Sequence, residues 1–250
     1  DSLQNGKIGR ATTRNSNAPV EANAPRTENL TSDPITPPES IDPNYPFLHK
    51  DRSVDDLGQF LNSTPRPPDI VMIIVEGLGR SFSGPGAREG SFTPYLDSLA
   101  DEGLYWENFI APQGRTFAVI PSLLGSTPFG DQGFLELPPP LPEHENLPNL
   151  LRSLGYRMRF FSGFDASFDN QRNYLEQFGF ERLVDRSRIS RMHPDKPQIS
   201  EWGFDDDFLL KTAQEVRKTD TDSAPRLDII QTISMHDPFR VPAQSKWNER

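Results

Sequence analysis

The sequence contains no cysteine among its 250 residues. This absence excludes disulfides, thiolate metal ligands, cysteine nucleophiles and iron–sulfur clusters. A metal ion would therefore have to be held by oxygen atoms and imidazoles. The chain also lacks a run of about 18 consecutive apolar residues, which a membrane-spanning helix requires.

Positively charged residues are outnumbered: the sequence has 26 Lys and Arg and 36 Asp and Glu, so the net charge is −10. A protein that binds the nucleic-acid backbone needs a cationic face, so the composition argues against a nucleic-acid partner. Residue 1 is Asp, and no apolar signal segment follows it. We therefore expect the chain to be a processed or excised piece of a longer protein.

Proline, in contrast, is abundant, with 25 residues, about twice the usual share of roughly 5%. Residues 1–44 are polar and lack any helical or strand period, which predicts a disordered linker or tether. Residues 45–68 regain hydrophobic anchors and predict an extended or short helical lead-in. Residues 69–250 are then predicted to form the N-terminal and central part of a folded domain.

Within this domain, strands alternate with helices, which predicts an α/β fold with a mostly parallel sheet between helical layers. The first strand, 69–75, has six consecutive apolar residues and is expected to be buried on both faces. Further strands are predicted at 104–110, 156–161 and 227–233. Helices are predicted at 94–102, 116–124, 147–154, 168–178 and 205–217.

Three polar residues fall at or beside the carboxyl ends of the predicted strands, where open parallel sheets bind ligands. Glu76 follows the first strand and His236 follows the last. Thr116 begins the apolar helix predicted at 116–124. Each also has a plainer interpretation: a loop carboxylate, a structural histidine and a helix N-cap.

Thr116 has a second interpretation as a nucleophile, because a helix N-terminus favours an anion. Arg115 beside it could contact phosphate oxygens. A threonine hydroxyl is a weak nucleophile, so a base or a metal ion would have to lower its pKa.

Common nucleotide and hydrolase motifs are absent. The third glycine of a dinucleotide-binding motif that starts at Gly77 would fall at Phe82, and no P-loop is present. The Gly-x-Ser-x-Gly elbow of α/β-hydrolases and the paired histidines of a zinc protease helix are also missing.

A set of ordered motifs nevertheless resembles one family. These are 69–76, the segment 92–109 with Gly114-Arg115-Thr116, then 150–156, 168–179, 201–203 and 232–239. Together they resemble the catalytic domain of the lipoteichoic acid synthase branch of the sulfatase and alkaline phosphatase superfamily, from about Pro68 to the end.

The resemblance implies a role for each matching residue. Glu76 matches a metal-binding carboxylate, and Thr116 matches a nucleophile that is also a metal ligand. Arg115 matches a basic neighbour of the nucleophile, whereas His236 and Arg172 match residues that bind the substrate phosphate. Arg172 is one residue out of register with the family spacing. Trp202 lies in a family motif, and we interpret it as a core residue.

The resemblance also implies a divalent cation, with manganese expected and magnesium or zinc as alternatives. The family's remaining ligands, an adjacent Asp-His pair, are expected beyond Arg250. We therefore expect the C-terminal part of the domain to be missing, unless a second chain of the same protein supplies it. The full-length protein is expected to be extracytoplasmic and membrane-anchored.

The function expected from the resemblance is a phosphotransferase or phosphodiesterase that acts on a phospholipid headgroup or a glycan. Two alternatives remain open. A sulfatase would need a cysteine or serine in a Cys/Ser-x-Pro-x-Arg motif, and Thr116 is followed by no such motif. A non-catalytic binding module of the same fold would lack the Asp-His pair altogether.

Overall fold

The protein is described by a computed structural model over residues 40–43, 45–50, 54–55, 57–62 and 64–241. The tether predicted for 1–44 therefore lies almost entirely outside the described residues. The chain divides into two compact units, Asp1–Asn62 and Ser63–Arg250. No helix in the described part is long and apolar enough to cross a bilayer.

The first unit contains a short hairpin and one helical turn. Strand β1, Ser40–Asp42, pairs antiparallel with β2, Tyr45–His49. A 3-10 helix follows at Gly58–Phe60. The boundaries of the predicted tether and lead-in stay predictions.

The second unit is built on a four-stranded sheet: β3 (Ile70–Ile74), β4 (Arg157–Ser162), β5 (Arg182–Val184) and β6 (Arg226–Gln231). The strand order is β3-β6-β4-β5, and every neighbouring pair is parallel. The helices are α1 (Pro94–Glu102), α2 (Val119–Gly125), α3 (Leu147–Ser153), α4 (Gln171–Gln177), α5 (Arg186–Met192) and α6 (Asp206–Thr219).

Alternate residues of the strands supply two cores, one on each face of the sheet. On one face, Met158, Phe160 and Ile229 pack with apolar residues of α2, α3 and α4. On the other face, Phe161 and Ile230 pack with residues of α5 and α6. Helices thus cover both faces, which confirms the predicted α/β class with a parallel sheet.

Strand β3 departs from its prediction. It lies at the edge of the sheet and pairs only with β6 among the described strands. Ile70, Met72 and Ile74 pack on the first core, whereas Val71 and Ile73 on the other face are 46% and 51% exposed. Burial on both faces is therefore wrong for the described structure, because α6 packs over β4 and β6 and leaves this side of β3 open.

The predicted strand at 104–110 is also wrong. The segment is irregular and pairs with no described strand. Its large apolar residues are exposed, including Phe109 at 75% and Ile110 at 84%. Apolar composition alone does not make a strand, because the backbone groups of a strand need a neighbour to bond with.

A group of charges is buried near the amino ends of the central strands. The Arg159 guanidinium donates two bonds to the Asp228 carboxylate, at 2.6 and 2.7 Å, and a third to Asp220 at 2.6 Å. Arg217 from α6 also donates to Asp228. The Asp228 side chain is 0% exposed and that of Arg159 is 4% exposed. The charges therefore stabilise the fold only as a paired set.

Candidate active site

The ends of β3 and β6 are joined where Glu76 leaves the sheet. Thr232 donates its backbone N–H to the carbonyl of Ile74 at 3.0 Å. Its hydroxyl accepts the backbone N–H of Glu76 at 2.8 Å. These bonds fix the Glu76 backbone at the carboxyl edge of the sheet, where the sequence places it.

Thr116 meets Glu76 at this edge. The Thr116 hydroxyl donates to the Glu76 carboxylate, although 40 residues separate the two in sequence. The structure thus brings together the predicted nucleophile and the predicted metal-binding carboxylate.

The local backbone at Thr116 differs from the prediction. Helix α2 begins at Val119 with Ala118 as its N-cap, three residues later than expected. Thr116 lies in a preceding turn, where Ala118 donates its N–H to Arg115 and Val119 donates its own to Thr116. The N-cap interpretation of Thr116 is therefore wrong, and so is the placement of its hydroxyl at a helix N-terminus.

A cavity of about 370 Å³ opens beside this pair. Four predicted site residues line it: Glu76, Arg115, Thr116 and His236. Among the described residues, the one other charged residue in its lining is Asp169, so two carboxylates and one guanidinium line the cavity. Its remaining walls are formed by Gly114, Phe117, Phe164, Phe168, Trp202, Gln231 and Ile233.

His236 is held in the cavity wall by Trp202. The ring centroids are 4.4 Å apart. Trp202 Nε1 donates to the Asp237 carbonyl at 3.0 Å, and His236 Nδ1 lies 3.0 Å from the same oxygen. Because a carbonyl only accepts, Nδ1 carries the proton, and Nε2 is the ring nitrogen that a substrate can contact. Trp202 is thus a half-buried cavity residue, and its assignment to the core is wrong.

The loop that carries His236 is anchored to the start of α6. The Asp206 carboxylate accepts the backbone N–H groups of Ile233, at 2.8 Å, and Ser234, at 3.1 Å. Burial raises the pKa of Asp206, while these two N–H groups oppose that effect. The loop therefore has a fixed attachment within the fold.

Arg172 is not brought to the cavity. Its guanidinium donates to Ser167 Oγ at 2.9 Å, to Glu176 at 3.2 Å and to Asp185. The predicted helix at 168–178 is in fact a 3-10 turn, Phe168–Asn170, followed by α4. The backbone breaks where the two helices meet, because Asp169 and Asn170 have positive φ angles of 51° and 61°. This break sets which residue of α4 turns inward, and that residue is Gln171.

The donor set at the sheet edge suits a hard divalent cation. A carboxylate and a hydroxyl are oxygen ligands of the kind that magnesium and manganese prefer. Within the described residues, no group of three or more His, Asp or Glu could hold a metal ion. A cation held by Glu76 and Thr116 would therefore need further ligands.

Sequence reasoning missed Gln231 and Asp169 as cavity residues. Gln231 carried a signal, because it is a polar residue at the end of an otherwise apolar strand. Asp169 carried none, since its place depends on the left-handed backbone at the break before α4.

A carboxylate in contact with a hydroxyl, with an arginine and a histidine on the same cavity, is suited to binding an oxyanion ester. The family comparison agrees with this class. The Sulfatase family model matches residues 68–249, so the chain belongs to the Sulfatase family.

Curated relatives include phosphoglycerol transferases from Xanthomonas. Phosphoglycerol transferase I of Xanthomonas euvesicatoria pv. vesicatoria is 28% identical over 158 residues, which are 60% of this chain and 22% of that protein. The enzyme of the same name from Xanthomonas axonopodis pv. citri is 28% identical over 178 residues, 68% of this chain and 25% of that protein. This chain thus spans about a quarter or less of their length.

Solved structures share the fold. An alkaline phosphatase superfamily protein from Vibrio parahaemolyticus aligns with a TM-score of 0.64 and 22% identity, over 75% of this chain and 46% of that one. The lipoteichoic acid synthase LtaP of Listeria monocytogenes aligns with a TM-score of 0.59 and 21% identity, over 71% and 43%. These structures confirm the fold that the resemblance implies.

Proposed function

We propose that the full-length protein is a metal-dependent phosphotransferase or phosphodiesterase that uses Thr116 as its nucleophile. The observation that carries the proposal is the hydrogen bond from Thr116 to Glu76 at the edge of a cavity that Arg115 and His236 also line. Phosphoglycerol transferases among the relatives favour phosphoryl rather than sulfuryl transfer.

In the proposed reaction, Thr116 Oγ attacks the phosphorus of a phosphodiester. A bond forms between Oγ and phosphorus, and the bond from phosphorus to the leaving alcohol breaks. The hydroxyl proton passes to the Glu76 carboxylate, and the leaving alkoxide takes a proton from solvent. An acceptor alcohol or water then attacks the phosphorus, and the bond from phosphorus to Oγ breaks as the new oxygen–phosphorus bond forms. Glu76 returns its proton to Thr116 Oγ, and the proton of the acceptor passes to solvent.

Arg115 would bind the nonbridging oxygens during both steps, and His236 would do so in its imidazolium form, in which Nε2 also carries a hydrogen. Glu76 and Thr116 would hold the cation, together with ligands from outside the described residues. A bound divalent cation lowers the pKa of the threonine hydroxyl and polarises a phosphoryl oxygen. Manganese is our first candidate, with magnesium or zinc as alternatives.

The proposed substrate is a phospholipid headgroup or a glycan outside the cytoplasm, and the full-length protein would be membrane-anchored. A C-terminal portion of the same protein would complete the metal site. The sulfatase alternative is less favoured, because Thr116 replaces the required cysteine or serine. The non-catalytic alternative is less favoured because Glu76 and Thr116 are both present and in contact.

Substrate class is tested by comparing a generic phosphodiester with a matched sulfate ester, using the full-length protein and added manganese. We expect turnover of the phosphodiester and none above background for the sulfate ester. The reverse preference would contradict phosphoryl transfer and restore the sulfatase alternative.

The role of Glu76 is tested by metal analysis of Glu76→Ala. We expect the affinity for manganese to fall by at least about tenfold, because one anionic ligand is lost. The matched control is Glu102→Ala, at the exposed end of α1, which should leave metal binding unchanged. Equal manganese affinity in the Glu76 variant and the wild type would remove Glu76 from the site.

A further inference from the structure

Two glutamines connect β6 and α4 at the cavity. Gln231, the last residue of β6, is 1% exposed and lines the cavity with Glu76 and Thr116. Gln171, the first residue of α4, is 0% exposed. Gln171 Nε2 donates to Gln231 Oε1 at 2.7 Å. Two buried amides are thus held together next to the candidate nucleophile.

One orientation of the two amides is favoured, with Gln171 as the donor and Gln231 as the acceptor. As placed, Gln171 Oε1 is buried and receives no hydrogen bond from the described residues. If both amides were reversed, the Gln171 nitrogen would instead be buried with no acceptor for either of its hydrogens. An unpaired buried N–H is rarer in proteins than an under-used carbonyl oxygen. The observed polarity is therefore favoured, and it leaves the amide nitrogen of Gln231 on the cavity side of the pair.

That nitrogen is available to a ligand. The described residues offer it no hydrogen-bond acceptor, while Gln231 Oε1 is taken by Gln171. Of the other cavity residues, Arg115 can donate to an oxyanion, and His236 can do so when Nε2 is also protonated, while the carboxylates of Glu76 and Asp169 line the same cavity. Because two carboxylates and one guanidinium line the cavity, an additional donor would help to hold a negatively charged phosphoryl oxygen there.

The same pair explains the register of α4. The family resemblance assigns a phosphate-binding arginine near this point, one residue away from Arg172. Arg172 instead points to Asp185 and Glu176 on the outside of the cavity. The adjacent Gln171 turns inward and contacts Gln231. An amide pair therefore lies inward at this turn, and the guanidinium does not.

We propose that Gln231 is a substrate-binding residue that donates its amide N–H to a nonbridging oxygen of the phosphoryl group. Gln171 is a positioning residue that holds the Gln231 amide in the donating orientation. This inference takes the reaction from the proposed function and rests on it. It identifies a neutral donor where the family resemblance implies a cationic one.

The test compares Gln231→Leu, Gln171→Leu and the double variant in the full-length protein with manganese. Two quantities are measured: kcat/KM for the phosphodiester, and the Kd of inorganic phosphate by calorimetry. We expect Gln231→Leu to lower kcat/KM and to weaken phosphate binding by about 10- to 100-fold, as for loss of a hydrogen bond to a charged group. Gln171→Leu should cost about 3- to 10-fold, and the double variant no more than Gln231→Leu alone.

Gln177→Leu is the matched control for a lost amide. Gln177 exchanges hydrogen bonds of 2.8 and 2.6 Å with the backbone of Leu141 and lies outside the cavity. A purely structural role for the glutamine pair predicts that all the variants lose stability alike and keep the phosphate Kd of the wild type. That result would overturn the inference.

The outcomes also separate this inference from the proposed function. Wild-type turnover that persists unchanged in Gln231→Leu would contradict the role of Gln231 alone. Phosphate binding that weakens in Gln231→Leu, in a wild type that turns over no ester, would contradict the proposed function alone. A wild type that does not bind phosphate would overturn both.

Discussion

Replacing Thr116 with alanine is expected to lower kcat for a phosphodiester by at least about 10³-fold, because no covalent intermediate can form without the hydroxyl. Among the described residues that line the cavity, Thr116 is the only one with a hydroxyl, so no neighbouring hydroxyl would take its place. The measurement is steady-state turnover by the full-length protein with added manganese.

Two controls accompany this variant. Thr116→Ser keeps a hydroxyl and should retain activity within about tenfold. Thr127→Ala removes a nearby threonine whose hydroxyl donates to the Pro121 carbonyl at 2.7 Å and which does not line the cavity. It should keep the wild-type kcat. Full activity in Thr116→Ala would show that the nucleophile is another group.

The largest effect on stability is expected from Asp228→Ala. This change leaves the buried Arg159 guanidinium without its bidentate partner. Removal of one member of a buried pair costs about 3 to 5 kcal/mol, and here Arg159 would keep only its single bond to Asp220. The free energy of unfolding, measured by urea denaturation, should fall by that amount.

An exposed ion pair on α6 provides the comparison. Lys211 and Asp207 of α6 are paired at 2.6 Å, and both side chains are more than 60% exposed. Lys211→Ala should change the unfolding free energy by less than about 0.5 kcal/mol. The double variant Arg159→Met/Asp228→Leu should recover much of the loss of Asp228→Ala, since it buries no unpaired charge. Equal, small effects of Asp228→Ala and Lys211→Ala would contradict this account.

The fold class could be predicted from the sequence because apolar strand segments alternate with helical segments along the chain. The apolar runs that became β3 and β6 end at polar residues, and parallel strands bring their carboxyl ends to one edge. Glu76 and His236 could therefore be placed at one edge of the sheet from the sequence. The contact between Thr116 and Glu76 was implied only by the family resemblance.

The features that could not be predicted from the sequence depend on how elements pack against each other and on local backbone geometry. An apolar run does not reveal whether a strand is central or at an edge, so the exposure of Val71 and Ile73 was not foreseen. The turn at Thr116 and the break at Asp169 depend on local backbone geometry that residue types do not specify. That break turned Gln171 inward and Arg172 outward, which spacing alone could not decide.

The central claim is that Thr116 carries the transferred group. Its most direct measurement is peptide mass spectrometry of the full-length protein after rapid quenching of a reaction with a phosphodiester and manganese. We predict a phosphoryl adduct on the peptide that contains Thr116, and no adduct in Thr116→Ala. Turnover with an adduct on a different residue, or undiminished turnover in Thr116→Ala, would contradict the claim.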